Sequence, residues 1–388
     1  MGDAFIVEAV RTPIGRRKGM LSHWHPADLL SEVLAALLKR AGVDPGEVDD
    51  VIVGCVDQIG EQSCNIARSA VLGAGFPESV PAVTIDRQCG SSQQAAHFAA
   101  QGVMAGAYDI VIAAGVESMT RVPMWSNAPI PAEAYGPGFR ERYDMGADDF
   151  IDQGISGEMI AERFELGREE LDAYAMSSHI RAAAATEAGF FEREIVPVQA
   201  RREDREWTAT ADEGIRPGTT LETLAGLKTV FREDGRLTAA TSSQLSDGAA
   251  AVLIVSERAA TRLGLRPRAR FHSFAVAGVD PIEGLAGPIP STQKALERGG
   301  LQMDDIDLFE VSEAFASVPL AWARATGGDL DRTNVNGGAI ALGHPIGCSG
   351  SRLMTTLLHE MERRQVRYGL QTMCEGGGMG NATILERV

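Results

Sequence analysis

The stretch "VPAVTIDRQCGSSQQAAHFAAQGVMAGAYDIVIAAGVESM", Val80–Met119, decides how the chain folds. "VPAVTID" reads as a strand, "SSQQAAHFAAQGVMAGAY" as a helix opened by serines, and "DIVIAAGVESM" as another strand. Cys89 sits at the join between the first strand and the helix. There it is either a buried filler or a nucleophile whose thiolate the helix N-terminus stabilises through unpaired N–H groups and the dipole.

Working outward, the same alternation runs back to the start of the chain. Strand "AFIVEAV" is followed by helix "PADLLSEVLAALLKRAG" with Gly42 as its stop, strand "VDDVIVGCV" and helix "CNIARSAVLGAG". Strands interleaved with helices predict an α/β fold with helix-covered sheets. From about Thr120 the pattern breaks into "RVPMWSNAPIPAEAYGPGF", then helical runs and arginine-rich loops as far as Leu237. Alternation resumes at "DGAAAVLIVSE" and continues to "MGNATILE". "VTIDRQCGSSQQAAHFAA" has a weak echo in "TNVNGGAIALGHPIGCSGSRLMTTLL", each an extended run, a Gly/Ser-rich turn and a helix. The expected organisation is two similar halves with an insertion. Residues 1–119 with about 238–266 form the half carrying Cys89, 120–237 an inserted loop domain, and 267–388 the second half.

The 388 residues, 44% hydrophobic and 23% charged, suit a soluble protein with a large core. A formal net charge of -17 argues against nucleic acid as a partner. Arg201, Arg202, Arg205 and Arg216 lie close together; they fit a solvated loop or a cleft that locally reverses the field for a small anion. Five cysteines without CxxC spacing give neither a disulfide framework nor a zinc site, and suggest a reducing compartment. "MGDAFIVEAVRTP" lacks the features of a signal peptide, Ile6 breaks a myristoylation pattern, and no apolar run is long enough to span a membrane. The expected location is cytoplasmic.

A thiolate nucleophile needs a base, usually histidine. Among seven histidines, His23 and His25 sit in a loop, His97, His179 and His359 in helical runs, and His272 in a strand. His344 differs, because glycines surround it and Pro345 follows it. Of the other cysteines, Cys55 lies in an apolar strand, Cys64 has no evident base, and Cys348 precedes a helix much as Cys89 does. Cys374 enters three glycines whose N–H groups can approach a ligand. No GxxxxGK[ST] or GxSxG occurs, and "GGGMGN" lacks the βαβ unit of a dinucleotide site.

Nine motifs in order, "RTPIG", "NIAR", "CGSS", "GVESM", "DEGIR", "LTAATSSQLSDGAA", "SEAFA", "NGGAIALGHPIG" and "CEGGGMGNATI", resemble the thiolases, the family that cleaves or forms the carbon–carbon bond of 3-ketoacyl-CoA. The resemblance covers nearly the whole chain. It implies a five-layer αβαβα fold, no metal or permanent cofactor, CoA and acyl-CoA as substrates, and a homodimer or homotetramer. It also implies that Cys89 is acylated, His344 activates it and Cys374 moves the proton at the substrate α-carbon. One oxyanion site would be the N–H groups of Cys89 and Gly376; the other would be His344 with a water held by residue 312. Arg216 and Thr223 would meet the nucleotide end of CoA, while Ser243, Ala314 and Phe315 would follow its pantetheine.

The chain departs from the family at several points. Ser312 replaces the asparagine of Asn-Glu-Ala-Phe-Ala, which predicts unusual kinetics or substrate choice, Thr241 replaces a common asparagine, and Cys348 replaces alanine. Gln153-Gly154 stands where biosynthetic relatives have Met-Gly, a methionine that crowds the acyl pocket, so a longer or bulkier acyl group is expected; Met145-Gly146 is a rival match. Two alternatives remain: a ketosynthase-like or hydroxymethylglutaryl-CoA synthase-like condensing enzyme, or an acyl-CoA or lipid binding protein with little turnover. The second cysteine beside the glycine run favours the thiolase.

Overall fold

The protein is described by a computed structural model covering residues 2–388. Its first strands are β1 (Ala4–Arg11), β2 (Gly15–Arg16), β3 (Asp50–Gly54), β4 (Ala82–Ile85) and β5 (Ile110–Ser118). Helix α1 (Pro26–Ala41) starts on His25, whose side chain accepts from the Ala27 N–H, with Pro26 at its first position; it stops at Gly42, which takes φ 69° as a left-handed cap. Its face of Leu30, Val33, Leu34 and Leu37 is buried, at about 1.5–3 kcal/mol per side chain. Helix α2 (Ile66–Gly73) links β3 to β4, and α3 (Ser91–Met104) links β4 to β5.

Between β5 and the next strand of the main sheet the chain forms α4 (Pro137–Arg142), α5 (Gln153–Arg163), α6 (Arg168–Glu187), the separate hairpin β6 (Val198–Arg202) and β7 (Arg205–Ala209), and α7 (Leu221–Ala225). This segment is stapled to β1 by Arg11, which is fully buried and donates to Glu194 at 2.6 Å and to Asp212 at 2.7 and 3.0 Å. Arg201, Arg202 and Arg205 lie exposed on the hairpin, with Arg201 3.8 Å from Glu206 and Arg205 over Trp207.

β8 (Ser246–Ser256) and α8 (Glu257–Leu263) return the chain to the first half. The second half holds β9 (Ala269–Gly278), α9 (Pro288–Gly299), β10 (Leu308–Val311), α10 (Ser317–Thr326), α11 (Ala339–Leu342), α12 (Ser349–Arg364), β11 (Tyr368–Glu375) and β12 (Met379–Arg387). The halves share one pairing order. Outward from β1 come β8 antiparallel, β5 antiparallel to β8, and β3 parallel to β5. Outward from β9 come β12, β11 and β10 in the same senses. β1 and β9 join the halves through Phe5↔Arg270 and Ile6↔Ala269.

α1 and α2 cover one sheet face, and α9 and α10 pack on the second half. Between them α3 (Ala95, Ala96, Ala99) and α12 (Met354, Leu357, Leu358) share one core with Ile254 of the first half and Phe271 of the second. The result is the five-layer αβαβα fold. The two central helices touch at their starts: a Cβ on Gly350 would lie 2.3 Å from the Gln93 nitrogen. At the end of β5, a Cβ on Gly115 would lie 2.4 Å from the Gly347 oxygen. Gly350→Ala is therefore expected to lose about 1–3 kcal/mol, read as a lower urea midpoint; an unchanged midpoint would show that this contact has slack.

Candidate active site

Cys89 is presented by a tight turn. Asp86 Oδ1 accepts from the Gln88 N–H at 2.6 Å, Ser91 Oγ accepts from the Arg87 N–H at 2.9 Å, and Gln88 takes φ 49°, uncommon for a non-glycine residue. The turn seats Cys89 among Val56, Met119, Ile346, Leu353 and Met373. Burial pushes its thiol well above the ordinary range, and Cys374 and Glu375 push it further. This corrects the expectation of a dipole-stabilised thiolate. α3 begins two residues later, its cap Gly90 has no side-chain bond, and burial outweighs the dipole.

His344 lies in the loop between α11 and α12, its N–H held by Gln244 O at 3.0 Å and Ser246 Oγ at 3.2 Å. Its Nδ1 meets Ser349 Oγ at 2.6 Å, and that hydroxyl donates to Pro345 O at 2.9 Å. Ser349 must therefore accept from Nδ1–H, which leaves the lone pair on Nε2. Nε2 is buried without a hydrogen-bond partner among the described residues. Burial, and then Arg352, lower the imidazole to about 4, so it is a neutral base throughout the physiological range.

Cys89 and His344 line one cavity of roughly 460 Å³. Cys374 lies at the end of β11, close enough that its charge would oppose ionisation of Cys89. Its thiol is pushed up to about 12 by burial, against the Ser312 hydroxyl and the Ala314 N–H. Ser312 does not line the cavity; its Oγ lies 3.8 Å from Cys374 Sγ. Gly376 sits beside Gln88 and Gln153, which a Cβ there would approach to 3.0 and 2.7 Å. The N–H groups of Cys89 and Gly376 reach no acceptor among the described residues.

Ser243, Ala314 and Phe315 line the cavity, with the Ser243 N–H on Ala314 O at 2.9 Å and Phe315 edge-on to Phe231 at 5.5 Å. Arg216 and Thr223 do not; both are exposed, and Thr223 Oγ1 pairs with Thr220 Oγ1 at 2.9 Å. Gln153, at the first turn of α5, reaches the wall whereas Met145 does not. Much of the remaining wall is apolar, including Met119, Met124, Trp125, Phe150 and Phe231. Cys55, Cys348 and Cys374 are buried outside its lining, and Cys64 is exposed.

Two supports were not foreseen. Ser349 fixes the tautomer, and its only sequence signal is a hydroxyl five residues after a loop histidine. Glu117 in "GVESM" accepts from the N–H groups of Val56 (2.9 Å), Asp57 (3.2 Å) and Gly347 (3.0 Å), tying the loops on both sides of the cavity together.

Comparison with known proteins places the chain in a family. Residues 4–258 match the family model for the thiolase N-terminal domain and 265–387 that for the C-terminal domain. The steroid 3-ketoacyl-CoA thiolase FadA6 of Mycobacterium tuberculosis is 50% identical, over 100% of this chain and 95% of that protein. A 3-ketoacyl-CoA thiolase of Bacillus subtilis is 43% identical over 100% of both. The crystal structure of the Bacillus anthracis acetyl-CoA acetyltransferase superposes with a TM-score of 0.90 at 39% identity, covering 100% of this chain and 99% of that one. Both halves thus have full-length counterparts, and the chain belongs to the thiolase family of acyltransferases.

Proposed function

We propose that this thiolase cleaves a 3-ketoacyl-CoA with CoA, or runs the reverse condensation, through an acyl group on Cys89. The observation that carries the reading is the unpartnered His344 Nε2 on the cavity it shares with Cys89. Nε2 takes the Cys89 proton as Sγ attacks the 3-keto carbon. The resulting oxyanion is held by the free N–H groups of Cys89 and Gly376. The C2–C3 bond breaks, Cys374 gives its proton to C2, and acetyl-CoA leaves. CoA then gives its proton to the Cys374 thiolate and attacks the thioester, and Cys89 recovers its own proton from His344. Neutral thiols and a neutral imidazole at rest mean that charge forms only as the carbonyl is attacked.

Ser243, Ala314 and Phe315 suit the pantetheine, with Arg216 and Thr223 towards the nucleotide. The acyl group is bulky. Gln153 occupies the wall position, and Met124, Phe150 and Val230 at the cavity are 42%, 45% and 55% exposed, apolar surface that a large acyl group would cover. The steroid thiolase among the relatives supports the same choice. A homo-oligomer fits the free edge β4, where Val83 is 41% exposed. No described helix is long and apolar enough to cross a membrane.

Cys89→Ser is expected to abolish the acyl-enzyme seen by mass spectrometry. Cys374→Ser should slow carbon–carbon cleavage, and with it acylation of Cys89 by a 3-ketoacyl-CoA, by about 10²–10⁴-fold; an unslowed cleavage would remove its proton-transfer role. Ser349→Ala should lower kcat about tenfold through the lost tautomer bond, while Cys348→Ala stays within about twofold. In a panel from acetoacetyl-CoA to long-chain and steroid side-chain 3-ketoacyl-CoAs, Gln153→Met should shift kcat/KM towards short chains by about tenfold. A wild-type preference for acetoacetyl-CoA would refute the bulky-substrate reading.

A further inference from the structure

β11 ends in Cys374-Glu375, and successive strand residues point to opposite faces. Cys374 meets Ser312, while Glu375 meets the turn that presents the nucleophile. A Cβ on Gly90 would lie 2.0 Å from Glu375 Oε1 and 2.8 Å from Asn381 Nδ2, so the carboxyl group rests against the residue after Cys89. Glu375 is 0% exposed, and neither oxygen has a hydrogen-bond partner among the described residues. Asn381, from β12, donates to Gly90 O at 3.1 Å while its own Oδ1 lacks a donor. The charged and titratable groups facing Glu375 are Asp86, Arg87 and Cys89 in the turn before α3, with Cys374 beside it on β11. Arg87 favours the ionised form by proximity but makes no hydrogen bond to it; its Nη1 reaches Met379 Sδ at 3.8 Å and its Nε is unpartnered.

A carboxylate here would be a buried charge without one hydrogen bond, a state protein interiors strongly disfavour. A carboxylic acid removes the charge and supplies an O–H donor near Asn381, whose Oδ1 lacks one. We propose that Glu375 is a further residue of the thiolase reaction, held as a neutral acid behind the Cys89–Gly90 peptide, where loss of its proton shuts down the nucleophile. The inference rests on Cys89 being the acylated residue. Thiolate and oxyanion are both negative and both form near this carboxyl group, so an ionised Glu375 opposes each. Its charge raises both thiols. Burial lifts the acid to about 8, which puts the shutdown on the alkaline side of neutrality. Glu375 does not line the cavity, so it acts through Cys89.

The test compares wild type, Glu375→Gln and Glu375→Leu, both neutral. Carboxamidomethylation of the Cys89 peptide by iodoacetamide is followed by mass spectrometry from pH 6 to 11, and kcat/KM for cleavage from pH 6 to 10. Both variants should lose the alkaline fall in kcat/KM near pH 8, and Cys89 should react half-maximally about one pH unit lower than in wild type. Wild-type profiles in both would overturn the proposal. So would a Leu variant impaired equally at every pH beside a normal Gln variant, since that pattern marks a structural hydrogen bond. If one variant does not fold, the other carries the test. Alkylation reads the Glu375–Cys89 coupling without turnover, so failure to trap an acyl group on Cys89 would count separately, against the catalytic reading.

Discussion

The close contact between the starts of α3 and α12 is the constraint on which the site depends. Each helix crosses the interior between the two sheet halves, and each start carries part of the proposed site: Cys89 before α3, His344 and Ser349 around the start of α12. Backbone meets backbone at Gly350 and Gln93, and the end of β5 meets the α12 start at Gly115. These contacts leave little freedom for the distance between the nucleophile's turn and the histidine's loop. The shared pairing order sets Cys348, the α12 cap, at the place of Gly90, one residue on from the counterpart of Cys89. Gly347 and Cys348 are pressed onto Gly115 and buried, whereas Cys89 reaches the cavity wall.

Burial, more than the helix dipole, sets the resting state. A helix terminus contributes about 0.3–2 kcal/mol to a nearby charge, while desolvation of a fully buried group can move its titration by about 3–5 units. Cys89, Cys374 and His344 all follow the larger effect and rest neutral. Such a site stores no thiolate to be alkylated or oxidised between turnovers. It depends on geometry: the Nε2 lone pair held by Ser349 and two N–H groups left without acceptors.

The β-α-β alternation was legible because period and punctuation are local properties, and the cap at Gly42 follows from them. The proposed catalytic set was nameable because rare residue types stood in glycine-rich turns that recur in a known order. Ser349 and Glu375 were not, for different reasons. A serine in a helix start is ordinary until the histidine's ring is placed beside it. Glu375 looks like a solvated acid in a turn, and only the pleat of β11 shows that it points inward against Gly90. The thiolate expectation failed because burial is a tertiary quantity, invisible in the ten residues around Cys89.

The placement of charge bears on how an acidic chain handles a polyanionic substrate. Among the described residues the cavity's charged lining is Asp57 and Asp152, with no cation, so the field inside it repels phosphate. The pantetheine and acyl parts of CoA are neutral and suit such a wall; the phosphates must remain outside. The exposure of Arg216 and Thr223 is then what the proposed nucleotide contacts require, because a cation inside the cavity would draw the nucleotide into the acyl site. It would also lower the Cys89 thiol, giving up the neutral resting state. Acidic lining and exposed arginine thus both fit the proposed arrangement, in which the cavity takes the uncharged half of the substrate.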